Sequence, residues 1–458
     1  MAIATVNPTT GETLETFVGH DQAEVERRIA QAAHAAAALR ATGYARRAQW
    51  MTAAADILDS DVERVATMLT LEMGKPIGQA RAEVLKCAKS MRFYAQHAES
   101  FLAPEPLADP AVVGASQAWT VWQPLGVVLA VMPWNYPLWQ VIRFAAPALM
   151  AGNTGLLKHA SNVPQSALYL DDLFEKGGFP AGSFRTLLIG SAGVAAVIED
   201  DRVKAVTLTG SEPAGRSVAA IAGREIKKAV LELGGSDPFI VMPSADVDAA
   251  STVAVKARIS NNGQSCIAGK RFIVHADVYD EFAGQFAAKM GALVVGDPMD
   301  EATEVGPMAT ASGRDEVAEL VDDAVAKGAE VLVGGSPLDG PGWFYSPTVL
   351  AGLTDDMRVV MEETFGPVAS LYEVANRDEA VQVANQTTFG LSSAVWSNDP
   401  DEQDWFIRNL DAGAVFLNGM TISYPELPFG GVKDSGYGRE LAAAGIREFC
   451  NLKTVWKA

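Results

Sequence analysis

From Gly126 onward the chain alternates short apolar runs with amphipathic stretches, and this rhythm restricts the accessible folds more than any other feature. "GVVLAVMP" is apolar throughout and bounded by Gly and Pro, as a strand buried on both faces requires. "LWQVIRFAAPALMAG" reads as a helix ending at glycine, "TGLLKH" as a strand and "VPQSALYLDDLFEKGG" as a helix. The series continues with "RTLLIG", "AGVAAVIED", "KAVTLTG", "SEPAGRSVAAIAG" and "KKAVLELGG". Strands alternating with helices imply a parallel sheet covered by helices. Ligands bind such sheets beyond the carboxyl ends of the strands. The sequence puts Trp134, Asn135, Lys158, Gly190, Gly210 and Leu233 there.

A second alternating block follows Gly235, with "DPFIVM", "RFIVH", "EVLVGG", "VASLYEV" and "SSAVWS" as strands. The first hundred residues carry apolar residues at helical spacing, after a turn at "VNPTTGE". "SQAWTVWQP" alternates polar and apolar positions and reads as part of a hairpin. The tail "EFCNLKTVWKA" reads as a helix end and a strand, whose missing partner an oligomer neighbour could supply.

A chain of 458 residues is long enough for two or three domains. Its net charge of −20 makes it a poor general binder of nucleic acid or anionic membrane. Cys87, Cys266 and Cys450 have neither metal-ligand spacing nor the look of a disulfide framework, so no metal is expected and a reducing compartment fits. The first residues lack a signal-peptide pattern, and no apolar run is long enough to span a bilayer, which points to the cytoplasm.

Several residues bear chemistry. Cys266 ends the polar run "NNGQSC" and precedes Lys270 and Arg271, a setting that suits a reactive thiolate better than a packing thiol. In "TLTGSEPAG", Gly210 ends a strand and Ser211 and Pro213 open a helix, whose free N–H groups suit a pyrophosphate; many helices begin this way for structural reasons alone. Lys158 leaves a strand at its carboxyl end, either as a solvated lysine or towards a ligand. The turn Lys158, His159, Ala160, Ser161 holds no carboxylate to meet a ribose 2′-hydroxyl, which favours NADP over NAD. Glu232 reads either as an ion-pair partner of Lys227 or Lys228 or as a base.

These stretches coincide with a family. Along essentially its whole length the chain resembles aldehyde dehydrogenases, through "MPWNYP", "LLKHAS", "TLTGSEPAGR", "LELGGSDPFIV", "NNGQSCIAGKR", "EETFGPV" and "PFGGVKDSGYGRE". Within the family it looks most like the bacterial NADP-dependent succinate-semialdehyde dehydrogenases. The resemblance implies Cys266 as nucleophile, Glu232 as general base and Asn135 as oxyanion donor. It implies cofactor contacts at Trp134, Asn135, Lys158, His159, Ala160, Ser161, Gly210, Ser211, Leu233, Glu363 and Phe365, with NAD accepted less readily than NADP. It also implies an α/β fold: a Rossmann-like parallel-sheet cofactor domain (residues 1–107 and 125–233), an α/β catalytic domain (234–425) and a small β oligomerisation flap (108–124 and 440–458). A homodimer or homotetramer would follow.

Arg143 is the clearest substrate signal, because an arginine on an apolar helix needs a carboxylate, internal or from a ligand. The resemblance makes it the anchor for the far carboxylate of succinate semialdehyde, assisted by Ser423, with Trp139 and Phe429 lining the tunnel. Two departures stand out: Ser260 occupies the place of a second arginine, and Ala268 that of a second cysteine found in some relatives. A broad-specificity aldehyde dehydrogenase is the alternative activity. Glu232 argues against transfer of the thioester to coenzyme A, and the presence of Cys266, Glu232 and Asn135 together argues against a non-catalytic binding protein.

Overall fold

The computed structural model describes residues 3–458. Its first large sheet has six strands. Across it run Gly436–Tyr437, Lys228–Glu232, Val203–Thr209, Val127–Met132, Thr154–His159 and Phe184–Thr186. All neighbours are parallel except the first pair. The strand Val127–Met132 is flanked by Thr154–His159 on one side and Val203–Thr209 on the other. The winding direction reverses there, which opens a crevice at the carboxyl ends of these strands. The "RTLLIG" strand is shorter than its apolar run suggests, spanning only Phe184–Thr186.

The helix Trp139–Ala151 is buried along its whole length. Its first turn is held by Glu83, whose carboxylate accepts from the backbone N–H of Leu138 and of Trp139 at 2.9 Å each. A carboxylate at a helix N-terminus satisfies orphan donors and the helix dipole together. Lys75 balances the charge of Glu83 in a buried ion pair.

The second sheet has seven strands. Across it run Glu330–Val333, Thr348–Ala351, Val368–Val374, Gly269–His275, Asp237–Val241, Ser393–Trp396 and Val415–Leu417. Thr348–Ala351 and Val415–Leu417 have only short apolar runs and are fixed as strands by tertiary pairing, as is the early hairpin Ile3–Val6 with Thr13–Phe17. The chain then leaves this sheet and returns to the first, where Gly436 and Tyr437 pair with Glu232 and Leu231.

The tail strand Cys450–Lys457 does not wait for a neighbouring molecule. It pairs antiparallel with Gln117–Pro124 of the same chain over its full length, and Glu105–Pro106 adds a third strand. The expected hairpin is present as the short antiparallel pair of Glu105–Pro106 with Gln117–Pro124, and the distant tail strand adds to its other edge. Cys450–Lys457 forms one edge of this small sheet and exposes Leu452 and Trp456.

Candidate active site

The "NNGQSC" run is a buried polar scaffold. The helix Val247–Ile259 ends in a short turn in which Asn261 (φ 58°), Asn262 (φ 58°) and Gly263 (φ 76°) are all left-handed. Asparagine tolerates this region better than most residues. Asn261 Nδ2 donates to the carbonyls of Asn135 (2.8 Å) and Gln264 (3.0 Å). Asn262 Nδ2 donates to the carbonyls of Gly74 and Pro307, and its Oδ1 accepts from Gly306 N–H. A Cβ on Gly263 would lie 2.4 Å from the Gly366 carbonyl. Arg258 is buried beneath the loop and donates to the carbonyls of Gly263 and Gly269, so it faces away from any ligand.

This loop is a partition. Ser265 and Cys266 line a chamber of about 340 Å³ with Glu83, Lys86, Tyr136, Trp139 and Arg143, while Gln264 lines a cleft of about 900 Å³ with Trp134, Lys158 and Ser161. The chamber also gathers Ser423 and Phe429, so all four residues expected at the substrate meet Cys266 there.

Burial pushes the Cys266 thiol up to about 12, against the lowering influence of Arg143 and Lys270. Burial therefore favours the neutral thiol at rest. Lys270 Nζ donates to the carbonyls of Ser265 and Cys266 (2.9 Å each) and pairs with Glu363 at 3.2 Å. Arg271 donates to the carbonyls of Ser236, Val383 and Ala384. Both cations hold backbone, and neither is spent on the sulfur.

Glu232 is buried, and neither carboxylate oxygen has a hydrogen-bond partner among the described residues. Burial raises its pKa well above the usual carboxylate range, with Glu440 adding to the effect and Arg143 opposing it. Lys228 pairs with Glu448, and Lys227 donates to the carbonyls of Ile198 and Asp200, so neither lysine ties Glu232 down. Gly235, three residues on, packs so closely that an added Cβ would lie 2.6 Å from the Cys266 carbonyl. Asn135 Nδ2 donates to the Gln264 carbonyl at 3.1 Å, two residues before Cys266. An amide nitrogen carries two protons, which leaves a second one free.

The cleft collects Trp134, Lys158, Ala160, Ser161, Glu363 and Phe365. Trp134 and Phe365 meet edge to face at 5.8 Å. Glu363 accepts from Gly235 N–H at 3.1 Å, which links the glycine pair to Lys270. Lys158 is half-buried, and among the described residues it has no hydrogen-bond or ion-pair partner. Other expected contacts lie elsewhere. His159 turns into the protein, with Nε2 against the Pro137 carbonyl at 2.8 Å, and burial lowers its pKa to about 4. Gly210, Ser211 and Leu233 do not line the cleft. Ser211 holds the N-cap position of Glu212–Arg224 without a side-chain cap bond. Leu233 packs on Gly215, where a Cβ would come within 2.5 Å of its side chain.

Arg143 is not free. It is fully buried, forms an ion pair with Glu440, lies over the Phe429 ring at 4.6 Å and donates to Thr209 Oγ1 at 3.3 Å. The internal carboxylate is the one its burial demanded. Sequence reasoning missed Glu440, and it also missed Lys86, which sits in the chamber. The helical spacing of Gln79, Glu83 and Lys86 puts them on one face, but which wall that face forms is decided by tertiary packing.

Known proteins resemble this chain from end to end. The model of the Aldehyde dehydrogenase family matches residues 1–455. The succinate-semialdehyde dehydrogenase [NADP(+)] of Mycobacterium avium is 64% identical over 457 residues, covering 100% of this chain and 97% of that protein. The succinate-semialdehyde dehydrogenase [NADP(+)] 1 of Mycobacterium tuberculosis is 63% identical over 458 residues, covering 100% of both. The crystal structure of succinic semialdehyde dehydrogenase from Streptococcus pyogenes in complex with NADP+ superposes with a TM-score of 0.96 at 38% identity, covering 99% of each chain. With its partitioning cysteine loop, its crevice at the strand ends and this match from end to end, the chain belongs to the aldehyde dehydrogenase family.

Proposed function

We propose that this chain oxidises succinate semialdehyde to succinate with NADP as the acceptor, NAD serving less well. The observation that carries the reading is the partition: one short loop exposes Cys266 to a chamber containing Lys86, Arg143 and Ser423, and borders a dinucleotide-sized cleft on its other side. Relatives of that name at 63–64% identity support it.

The residues of the cleft fit NADP. The half-buried, unpartnered Lys158 and the hydroxyl of Ser161 suit a 2′-phosphate, and no carboxylate in their turn opposes one. Glu363 suits a ribose, and Trp134 and Phe365 suit the planar end. When bound, NADP supplies the hydride acceptor.

The chain's own residues supply the rest. The Cys266 sulfur adds to the aldehyde carbon and forms a thiohemiacetal, while the thiol proton must leave. Glu232, whose pKa is raised by burial, is the candidate acceptor for that proton. The developing oxyanion accepts from the free proton of Asn135 Nδ2 and from the Cys266 N–H, and one such donor stabilises the transition state by ~3 kcal/mol. Loss of hydride leaves a thioester. Glu232 passes the thiol proton to solvent and, again a carboxylate, takes a proton from water; the resulting hydroxide attacks the thioester carbon, and Cys266 leaves as thiolate and is reprotonated.

The division into a cofactor domain, a catalytic domain and a flap is part of the same proposal. So are a dimer or tetramer joined through the flap and a cytoplasmic location; no described helix is long and apolar enough to cross a membrane. The test is to follow reduced nicotinamide with purified protein, succinate semialdehyde or butanal, and each cofactor in turn. A kcat/KM for succinate semialdehyde at least a hundredfold above butanal is expected. Equal values would leave a broad aldehyde dehydrogenase.

A further inference from the structure

The chamber that holds Cys266 contains a cation that pairs with no carboxylate among the described residues. Lys86 projects from the helix Ile77–Phe101 and is half-buried. Its Nζ lies 2.8 Å from Ser423 Oγ and 4.1 Å from the centre of the Trp139 ring. The carboxylates of the same wall are occupied. Glu83 takes Lys75 and two backbone N–H groups, and Glu440 takes Arg143. Among the described residues no aspartate or glutamate pairs with Lys86.

Ser423 sharpens the point. Its oxygen accepts from Lys86 Nζ and, at 3.1 Å, from Trp139 Nε1. Lysine and the indole nitrogen are donors only. The hydroxyl proton of Ser423 must therefore point to an acceptor that neither neighbour provides. Lys86 holds further unused N–H groups. A buried cluster of donors with no acceptor is complementary to an anion.

We infer that Lys86, together with Ser423, receives the far carboxylate of the substrate beside Arg143, whose Nε is held by Glu440. This rests on the proposed succinate semialdehyde activity. It also accounts for Ser260: the second cation comes from a different helix and not from the segment before Cys266. Although burial lowers Lys86 to about 8, it remains mostly charged at neutral pH.

The experiment compares kcat/KM for succinate semialdehyde and butanal in wild type, K86M, K86Q and K86R, with thermal melting to confirm folding. A charged hydrogen bond to a carboxylate corresponds to a ~10–100-fold effect. The ratio of succinate semialdehyde to butanal should fall by about that factor in K86M and K86Q, through KM, and K86R should recover most of it. If wild type prefers succinate semialdehyde and folded K86M or K86Q keeps the full preference, the inference is wrong while the proposed activity stands. If wild type shows no preference, the substrate reading falls and the inference falls with it.

Discussion

Arg143, which lines the Cys266 chamber, forms a buried ion pair with Glu440, so this arginine already has a carboxylate partner inside the protein. Removing one member of such a pair leaves an uncompensated charge and costs ~3–5 kcal/mol. Glu440→Ala should lower the melting temperature markedly, read by calorimetry. Because Glu440 also raises the pKa of Glu232, the same variant should shift the acidic limb of the kcat profile to lower pH. An unchanged profile would mean that the two carboxylates do not interact.

The resting thiol should be slow to react. With Cys266 pushed up to about 12, iodoacetamide should modify it slowly at neutral pH, and the rate should climb steadily above pH 8. Mass spectrometry of the labelled site, with Cys266→Ala as control for Cys87 and Cys450, measures this. A plateau near pH 7 would contradict the burial argument.

Glu232→Gln removes the proposed base. Loss of general base catalysis typically costs 10²–10⁴-fold. Both steps use Glu232, so acylation should slow and deacylation should fail: a slow single turnover of reduced nicotinamide should appear and an acyl adduct should accumulate on Cys266. A variant that turns over steadily with no adduct would remove Glu232 from the mechanism.

Lys158→Ala tests cofactor choice by equilibrium binding, without turnover. The loss of an unpartnered, half-buried cation should weaken NADP+ binding ~10-fold or more and leave NAD+ binding nearly unchanged. Equal weakening of both would place Lys158 away from the 2′-phosphate.

A pH series on succinate semialdehyde reports on Lys86. Its neighbours are Glu83 and Cys87 on its own helix, Lys75 before it and Arg143 across the chamber, but burial dominates and lowers it to about 8. A lysine whose pKa is lowered loses its charge as pH rises through that value. KM for succinate semialdehyde should therefore rise between pH 7 and 9 in wild type, whereas K86R should stay flat.

Much of this was readable along the chain because it is local. The strand from Val127 to Met132 and the strand from Thr154 to His159 announce themselves by unbroken apolar runs. Cys266 stands out because a thiol after six consecutive polar or glycine residues has no packing explanation. The gaps all concern distance. Glu440 lies almost three hundred residues from Arg143, and neither composition nor periodicity links them. His159 carries a site-like motif position, yet only the packed fold turns its ring towards Pro137. Thr348–Ala351, short in itself, is held as a strand between Glu330–Val333 and Val368–Val374.

The return of Gly436 and Tyr437 to the first sheet has a consequence for synthesis and engineering. A ribosome that has released everything up to Glu232 has made five of that sheet's strands, but the border beside Lys228–Glu232 stays open until the C-terminal segment emerges. The nucleotide-facing half is therefore no detachable cassette: cut free at Gly235, it would carry a raw edge prone to sticking to its own kind.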